Sequence, residues 1–325
     1  MSDIVLAADI GGTKSYLALA EPVGGGLRAL CVERFRNDDY VDFNAILRRF
    51  VKEQAAGRVI RRAAVGVAGP RDGDRVWLTN RPWLVDAVAL SDILGGAPVR
   101  LLNDLEATAY GIDSLAADEV LTLQHGERID HAPQVIVAAG TGLGIAYRVW
   151  DGLRYRVIGS EGGHMGFAPL DLRQLDLCRA LYERLGRVEA EHVVSGAGIA
   201  RIYSFLGGPS GTSPPQVSMR AFQEQDPLAL EALEIFSACY GAVAGDHALA
   251  MLAYGGVYLA GGIAPKVLQP QQASHLLTAF NSKSGHSGVV ERVPVHVVLN
   301  DQIALFGAVL AALQDMAAMP PTTKE

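Results

Sequence analysis

Residues 4–20 read IVLAADIGGTKSYLALA: an apolar run, a turn rich in glycine, and a second apolar run. The first run ends at Asp9-Ile10 and has the length of a buried strand, and the second resumes at Tyr16. The glycines of Gly11-Gly12-Thr13 allow a tight turn between them. The segment therefore predicts two adjacent strands joined by that turn.

The segments that follow predict a mixed sheet with helical crossovers. Residues 30–35 form a third apolar stretch, and apolar residues recur at helical spacing from 41 to 55, before Gly57. The remaining elements of this part are predicted as a strand at 63–68, a hairpin near 76–78, a helix ending near 95, a strand at 99–102 and a helix from 105. Three antiparallel strands extended by parallel strands through helices are typical of a ribonuclease-H-like α/β domain.

The second half of the chain begins in the same way. Residues 135–150 read VIVAAGTGLGIAYRVW, again two apolar runs around a glycine turn with a threonine. This internal repeat predicts a duplicated α/β fold whose two turns face each other across an interdomain cleft. We expect one domain at 1–112 with a C-terminal helix at about 303–325, and a second domain at 113–302. The other elements of the second domain are predicted as a strand at 153–158, helices at 172–185 and 227–252, a loop at 207–215, and strands at 257–259 and 295–299.

Length and composition favour a soluble protein of two domains. The chain has 325 residues, 50% of them hydrophobic, and 28 basic against 35 acidic residues give a net charge of −7. A negative chain without a basic track does not suit nucleic acid, and the three cysteines lack metal-binding or disulfide spacing. The apolar runs are broken before the ~18–20 residues of a membrane span, and no basic segment precedes the first of them. We therefore expect a cytoplasmic protein with no nucleic-acid or membrane partner.

The first glycine turn is a candidate phosphate site. Asp9 ends a strand, Gly11 and Gly12 let backbone N–H groups approach an anion, and Thr13 and Lys14 add a hydroxyl and a positive charge. Asp9 could hold Mg²⁺ directly or through water. A plain hairpin turn is the alternative interpretation, and the spacing is not that of a P-loop. No residue is firmly assigned as a metal ligand.

The second glycine turn, Gly140-Thr141-Gly142, is a weak candidate by itself. Two such turns on matching strand pairs are a stronger signal, because a triphosphate needs hydrogen-bond donors on more than one side.

Asn103-Asp104 closes one apolar strand and opens a helix. An aspartate there is commonly an N-cap, a role worth ~1 kcal/mol. The carboxyl ends of strands in an open α/β sheet also line the ligand site. Asp104 could therefore accept the proton of a hydroxyl that attacks phosphorus.

Glu161-Gly162-Gly163-His164 places two polar side chains on a loop, with Glu189 and Glu191 further along. These side chains could bind a metal, could hydrogen-bond neighbouring hydroxyls of a sugar, or could be solvated side chains of a glycine turn. The residue types alone leave these three interpretations open.

Seven ordered segments together resemble the bacterial glucokinases of the sugar kinase/actin/Hsp70 superfamily, over nearly the whole chain. The segments are DIGGTKSYLAL, LTNRPW, LLNDLEATAYGI, VAAGTGLGIA, GSEGGHMGF, AEHVVSGAGI and VYLAGGIAPKVL. The resemblance implies two actin-like ATPase domains and ATP-dependent phosphorylation of glucose to glucose 6-phosphate, with Mg²⁺. It also suggests a homodimer, and the absence of a cysteine cluster places the chain in the zinc-free branch.

The resemblance also implies roles for individual residues. Asp104 corresponds to the catalytic base, and Asn103 holds the sugar beside it. Glu161, His164 and Glu191 correspond to sugar ligands, with Glu189 as the alternative to Glu191. The residues implied at the nucleotide are Asp9, Gly11, Gly12, Thr13, Lys14, Gly140, Thr141, Gly142, Gly261 and Gly262.

One departure and several alternatives remain at this point. Relatives often carry arginine two positions beyond Lys14, where this chain has Tyr16; a phosphate contact or an ion pair of the family is therefore in question. Another hexose, or an amino sugar, is the alternative acceptor, and polyphosphate the alternative donor. A sugar-binding regulatory protein and an actin-like ATPase are the alternatives from other classes.

Overall fold

The computed structural model describes residues 3–23, 26–55, 57–69, 71–79 and 81–317. Its strands are β1 Asp3–Ile10, β2 Lys14–Val23, β3 Gly26–Arg36, β4 Val59–Val67, β5 Arg71–Asp72, β6 Arg75–Trp77, β7 Leu84–Asp86, β8 Val99–Asn103, β9 Val120–Gln124, β10 Gln134–Ala139, β11 Leu143–Trp150, β12 Tyr155–Ser160, β13 Gly256–Ala260 and β14 Val295–Val298. Its α-helices are α1 Phe43–Gln54, α2 Ala87–Ile93, α3 Asp104–Gly111, α4 Leu172–Leu185, α5 Ala190–Val193, α6 Gly196–Phe205, α7 Pro214–Phe222, α8 Pro227–Met251, α9 Ala264–Val267, α10 Pro270–Asn281, α11 Ser287–Val290 and α12 Ile303–Ala317.

The chain divides into two compact units. Unit 1 is formed by the described residues up to Leu115 and from Gln302 onward, and unit 2 is Ala116–Asp301. Each unit has its own core of buried apolar side chains. Residues 318–325, the end of the expected C-terminal helix, lie outside the described residues.

Unit 1 is built on a sheet with the strand order β3-β2-β1-β4-β8. The pairs β1–β2 and β2–β3 are antiparallel, whereas β1–β4 and β4–β8 are parallel. Strand β1 is apolar from Ile4 to Ala8 and completely buried, as a strand in the middle of a covered sheet must be. The predicted arrangement of three antiparallel strands extended by parallel ones is confirmed.

Unit 2 repeats this arrangement in its main sheet, whose order is β12-β11-β10-β13-β14-β9. Strands β10, β11 and β12 form the antiparallel part, and β10, β13 and β14 run parallel. The internal repeat predicted from the two glycine turns is therefore present as a repeat of topology. Strand β9 is an addition at the edge, antiparallel to β14, which the sequence pattern did not predict.

The register of the parallel strands places candidate residues at one edge of each sheet. In unit 1, Asp9 pairs with Gly66 and Val67 pairs with Asn103. In unit 2, Ala138 of β10 pairs with Ala260 of β13. Each pair lies at the carboxyl ends of its strands, which is where open α/β sheets bind ligands.

Three local predictions differ from the structure. The first helix begins at Phe43, because Asp42 accepts a hydrogen bond from the Ala45 N–H and caps it; Val41 lies outside the helix and is 85% exposed. The strand expected at 153–158 is β12, shifted two residues along, because Asp151 accepts hydrogen bonds from the N–H groups of Leu153 and Arg154 in a turn. The loop expected at 207–215 ends earlier, since α7 begins at Pro214.

Helix α8 is long and apolar enough, by length and composition, to cross a membrane. Glu231, Glu234 and Asp246 break its apolar runs, as expected from the sequence, but the helix as a whole passes this test. Within unit 2, however, 67% of its most apolar window is buried, and it packs against α6, α7 and α10. It is the central helix of the unit 2 core.

Two helices of unit 1 approach each other at glycine. A Cβ atom added to Gly307 of α12 would lie 1.7 Å from the carbonyl oxygen of Ala107 in α3. A Cβ atom added to Gly111 of α3 would lie 2.3 Å from the carbonyl oxygen of Ile303. Helix α12 can therefore pack closely against α3, because neither Gly307 nor Gly111 carries a side chain.

Gly307→Ala should destabilise the protein by about 3 kcal/mol, because the methyl group meets backbone atoms that cannot rotate away. Urea unfolding followed by circular dichroism measures this. Gly288→Ala is the control, since nothing lies within 4 Å of a Cβ atom there; it should change stability by less than about 0.5 kcal/mol. Equal stability of both variants would show that α3 and α12 are not packed as described.

Candidate active site

The β1–β2 turn of unit 1 is held by two side chains from other segments. The Gly11 N–H donates to the Lys14 carbonyl within the turn (3.0 Å). The Asn37 side-chain amide donates to the Gly11 carbonyl (2.8 Å), and Arg81 Nε donates to the Gly12 carbonyl (2.7 Å). Sequence reasoning missed both supports, although Arg81 lies within LTNRPW, a segment of the resemblance to which no role was attached.

Arg81 is itself fixed on several sides. Its Nη1 donates to the Asn37 carbonyl (3.3 Å), its Nη2 pairs with the Asp38 carboxylate, and its guanidinium lies 4.9 Å from the centre of the Trp83 ring. A planar guanidinium carries several N–H donors and can make these contacts at the same time. The turn is therefore a fixed structure and not a free loop.

Tyr16 stands where relatives often carry arginine, and it pairs with Lys14. The Lys14 ammonium donates to the Tyr16 hydroxyl (3.1 Å) and lies 5.1 Å from the centre of its ring. Tyr16 is only 9% exposed. The aromatic side chain thus keeps the Lys14 charge beside the turn.

The Asp9 carboxyl is buried and is affected by the charge of Asp104. Burial first, and then the charge of Asp104, raise the pKa of Asp9 to about 7, against the opposing charge of Lys14. The Asp9 carboxylate also lies against Gly66, whose Cβ, if added, would be 3.8 Å from an Asp9 oxygen. The two carboxyl groups lie at the ends of β1 and β8, with β4 between these strands, and Asp104 makes the charged form of Asp9 less favourable.

The N-cap role considered for Asp104 belongs to Asn103. Asn103 Oδ1 accepts from the Leu105 N–H (2.7 Å), and Glu106 accepts from the Asn103 N–H (3.1 Å), which makes a capping box. Asp104 is the first residue of α3, is exposed, and accepts from the Leu105 N–H at 2.9 Å. Loss of hydration among the surrounding protein atoms raises the pKa of Asp104, as a proton acceptor requires.

The second glycine turn, in unit 2, is closed by Glu191. The Gly140 N–H donates to the Gly142 carbonyl (2.9 Å), and Glu191 Oε2 accepts from the Leu143 N–H (2.8 Å). A Cβ atom at Gly142 would lie 2.4 Å from that Glu191 oxygen, so a side chain there would displace the Glu191 carboxylate. In this structure Glu191 supports the turn between β10 and β11.

Both turns leave donors available. The N–H groups of Gly12, Thr13, Thr141 and Gly142 make none of the hydrogen bonds found within the described residues, and both threonines are exposed. Unpaired N–H groups and hydroxyls at tight turns suit phosphate oxygens.

The loop that contains Glu161 and His164 rests on β11. A Cβ atom at Gly163 would lie 1.9 Å from the Leu143 carbonyl oxygen, and one at Gly162 would lie 3.1 Å from a ring carbon of His247. The two glycines therefore form the buried side of the loop, whereas Glu161 and His164 are exposed.

His164 and Glu189 form a close pair in unit 2. His164 Nδ1 lies 2.8 Å from Glu189 Oε2, and His164 Nε2 lies 3.8 Å from Glu161 Oε2. The hydrogen bond to Glu189 raises the pKa of His164, opposed by burial and aided by the charges of Glu191, Glu189 and Glu161. Sequence reasoning placed Glu189 only as an alternative to Glu191, whereas the structure gives the two glutamates different partners.

The Gly261-Gly262 turn follows β13 and lies beside the end of β10. Gly261 has a φ of +84°, and a Cβ atom there would lie 2.4 Å from the Ala139 carbonyl oxygen. Both glycines are exposed. Unit 2 therefore presents the turns at 140–142 and 261–262 at the same edge of its sheet.

The comparisons with known proteins agree on one family. A family model described as glucokinase matches residues 6–315. The glucokinase of Nostoc sp. is 35% identical over 337 aligned residues, which cover 95% of this chain and 98% of that protein. A glucokinase structure from an Antarctic psychrotroph has a TM-score of 0.88 at 27% identity and covers 97% of this chain and 100% of that one.

A more distant structure has the same fold. It is the ROK family glucokinase of Streptomyces griseus, solved in complex with glucose and AMPPNP, with a TM-score of 0.61 at 19% identity. The alignment covers 95% of this chain and 99% of that chain. The fold class expected from the resemblance is confirmed.

Asp9→Asn should stabilise the protein more at pH 8 than at pH 5. The unfolded chain releases the Asp9 proton at the ordinary pKa of 3.8, whereas the folded protein holds it until about pH 7. The wild type therefore loses stability as pH rises between these values, and the variant does not. Melting temperatures at the two pH values measure the difference, which should be a few degrees at pH 8. An equal effect at both pH values would contradict the raised pKa.

Arg81→Ala should make the Gly11 amide exchange its hydrogen roughly tenfold faster, because about 1–2 kcal/mol of support for the turn is lost. Hydrogen exchange with residue resolution measures this. The Gly140 amide, which closes the other turn, should not change. Arg75→Ala, which removes an exposed ion pair with Asp86, is the control. Unchanged exchange at Gly11 would show that Arg81 does not hold the turn.

Proposed function

The chain belongs to the glucokinase family, and from that premise we propose that it transfers the γ-phosphoryl group of ATP to the 6-hydroxyl of glucose with Asp104 as the base. The observation that carries the proposal is the position of Asp104. It is an exposed carboxylate at the carboxyl end of β8, with a raised pKa, and it accepts a hydrogen bond from the Leu105 N–H. The helix does not need Asp104 as a cap, because Asn103 already caps it.

Proton transfer is the task of Asp104 in this mechanism. As the glucose 6-hydroxyl attacks phosphorus, its proton passes to the Asp104 carboxylate and its oxygen forms the new P–O bond, while ADP leaves. The raised pKa brings this base nearer to the working pH. The N-terminus of α3, where Asp104 lies, favours the carboxylate form before the proton arrives.

The sugar is held by Asn103 together with Glu161, His164 and Glu191. The side-chain amide of Asn103 keeps its NH₂ group for a hydroxyl, since its Oδ1 is used by the helix cap. Glu161 is 89% exposed and His164 is 50% exposed in their side chains, so both are accessible to a ligand. A polyol needs several donors and acceptors, and these side chains are of the types that supply them.

The two glycine turns hold the phosphates of ATP. In unit 1, Gly12 and Thr13 supply N–H groups, Thr13 a hydroxyl and Lys14 a charge, while the Gly11 N–H closes the turn. In unit 2, Thr141 and Gly142 supply N–H groups and Thr141 a hydroxyl, while the Gly140 N–H closes the turn. Gly261 and Gly262 lie beside the nucleotide in this proposal.

Mg²⁺ fits the residues around Asp9. Among the residues described in the structure, no group of three or more His, Cys, Asp or Glu side chains could enclose a metal ion. Mg²⁺ in kinases is bound through one or two carboxylates together with phosphates and water, so Asp9 alone suffices as its protein ligand. When bound, the ion neutralises phosphate charge, and its charge would also ease the repulsion between Asp9 and Asp104.

Cytoplasmic location and a homodimer complete the proposal. The three cysteines are free thiols, as is usual in a reducing compartment, and this supports the cytoplasmic location. The resemblance to bacterial glucokinases supports the second.

The experiment that tests the function is ADP release with MgATP and a panel of acceptors: glucose, mannose, fructose, N-acetylglucosamine, N-acetylmannosamine and none. We expect kcat/KM for glucose at least roughly tenfold above the others, about 1.4 kcal/mol of discrimination. A higher value for another acceptor would replace glucose in the proposal. Equal release without sugar would favour an ATPase, and binding of glucose without turnover would favour a regulatory protein.

Asp104→Ala should lower kcat by ~10²–10⁴-fold, because the attacking hydroxyl loses its proton acceptor. Steady-state kinetics measure kcat, and titration calorimetry checks that glucose still binds. Asp92→Ala, an exposed aspartate of α2, is the control and should keep full turnover. Near-normal kcat in Asp104→Ala would refute the assignment of the base.

A further inference from the structure

The His164 ring lies between two carboxylates at different distances. Its Nδ1 is 2.8 Å from Glu189 Oε2, a hydrogen-bond distance, whereas its Nε2 is 3.8 Å from Glu161 Oε2, which is too long for one. An ionised carboxylate only accepts, so Nδ1 must carry the hydrogen. In the neutral ring the lone pair is then on Nε2, the atom that faces away from Glu189.

Glu189 is held in place, and Glu161 is not. Arg187 Nε lies 3.4 Å from the second Glu189 oxygen, and Arg187 Nη2 donates to the His164 carbonyl (3.2 Å). The backbone N–H of Glu189 donates to His192 Nδ1 (3.1 Å). The Glu189 side chain is 24% exposed and that of Glu161 is 89% exposed.

The backbone also fixes the distance between His164 and Glu189. Gly166 and Glu189 form an antiparallel bridge, and the Ala190 N–H donates to the Met165 carbonyl (2.9 Å). The segment that contains Glu189 is thus tied to the loop that contains His164. The pair is a feature of the fold and not a chance meeting of two long side chains.

We propose that Glu189 is a positioning residue of the sugar site, which holds His164 in the Nδ1–H form and turns its Nε2 toward the sugar as a hydrogen-bond acceptor. This inference rests on the proposed function. It differs from the alternative assignment of Glu189 as a sugar ligand, because Glu189 acts here only through His164.

The arrangement has a consequence for pH. Protonation of His164 puts a hydrogen on Nε2 and removes the acceptor, so glucose should bind more weakly as pH falls through the pKa of His164. The charged and titratable groups around the ring are Glu161, Glu189 and Glu191, with Arg187 and His192 behind Glu189. Because the bond to Glu189 raises this pKa above the ordinary 6.5, the change should occur at a higher pH than in an unperturbed histidine.

Two substitutions at Glu189 distinguish a role in positioning His164 from a general role in the stability of the fold. Glu189→Ala removes the acceptor, so the neutral ring should return to the Nε2–H form that an unconstrained histidine side chain prefers, and KM for glucose at pH 8 should rise roughly tenfold. Its kcat and its KM for ATP should stay within about twofold. Glu189→Gln keeps an acceptor without the charge, so KM at pH 8 should stay near the wild-type value, while the rise in KM moves to lower pH.

The direct readout is the tautomer of His164, from long-range ¹H–¹⁵N correlation spectra of protein with ¹⁵N-labelled histidine. Loss of signals in His164→Asn assigns them. We expect Nδ1–H in the wild type and in Glu189→Gln, Nε2–H in Glu189→Ala, and a shift of Nε2 when glucose is added. His192, whose Nδ1 accepts a hydrogen bond, should show the opposite tautomer and serves as an internal reference.

Glu183→Ala, an exposed glutamate of α4, is the matched control and should change neither the tautomer nor KM. An Nε2–H ring in the wild type, or a normal glucose KM in Glu189→Ala, would overturn the proposal. Equal losses in Glu189→Ala and Glu189→Gln at pH 8 would do so as well. An Nδ1–H ring in a protein with no sugar-dependent ADP release would support the pairing and overturn the proposed function instead.

Discussion

The parallel pairing of β1 with β4, and of β4 with β8, is the constraint on which unit 1 depends. This register aligns the end of β1, with Asp9, and the end of β8, with Asn103 and Asp104, at one edge of the sheet with β4 between them. Burial first, and then the charge of Asp104, raise the pKa of Asp9 to about 7. A strongly raised carboxyl pKa at a sheet edge marks a candidate functional site.

Unit 2 has the same topology, but different groups hold its glycine turn. The turn again joins the central strand, here β10, to its antiparallel neighbour. Glu191 accepts from the Leu143 N–H, and the Gly196 N–H at the start of α6 donates to the Gly140 carbonyl (2.8 Å). The added elements are the glycine loop with His164 and the segment with Glu189 that is tied to it. The glycine turn is therefore common to the two units, and in unit 2 the candidate sugar ligands Glu161 and His164 lie on the added loop.

Much of this could be predicted from the sequence, for identifiable reasons. Short apolar runs around Gly11 and Gly140 specify strand pairs locally, and Asp104 could be placed at a strand end because Val99–Leu102 is a clear apolar run. The role of Asn103 as the cap could not be separated from Asp104, since both residue types cap helices. Val41 was misplaced because periodicity ignores the capping aspartate that follows it.

The hydrogen bonds that hold the candidate residues in place could not be predicted from the sequence. Arg81 reaches the turn at Gly12 from 69 residues away, and such a contact leaves no local pattern. Glu189 and Glu191 are two residues apart and cannot be distinguished by type, yet one bonds His164 and the other the Leu143 N–H. The candidate residues could be named in advance, but the groups that position them required the structure.

The central claim is that this chain esterifies the 6-hydroxyl of glucose with the γ-phosphoryl group of ATP. The most direct measurement is ³¹P NMR, with proton coupling, of a reaction containing the protein, MgATP and glucose. The account predicts one phosphomonoester whose phosphorus couples to the two protons on carbon 6, formed in equal amount to ADP. Inorganic phosphate in place of the ester, or an ester on another hydroxyl, would contradict it.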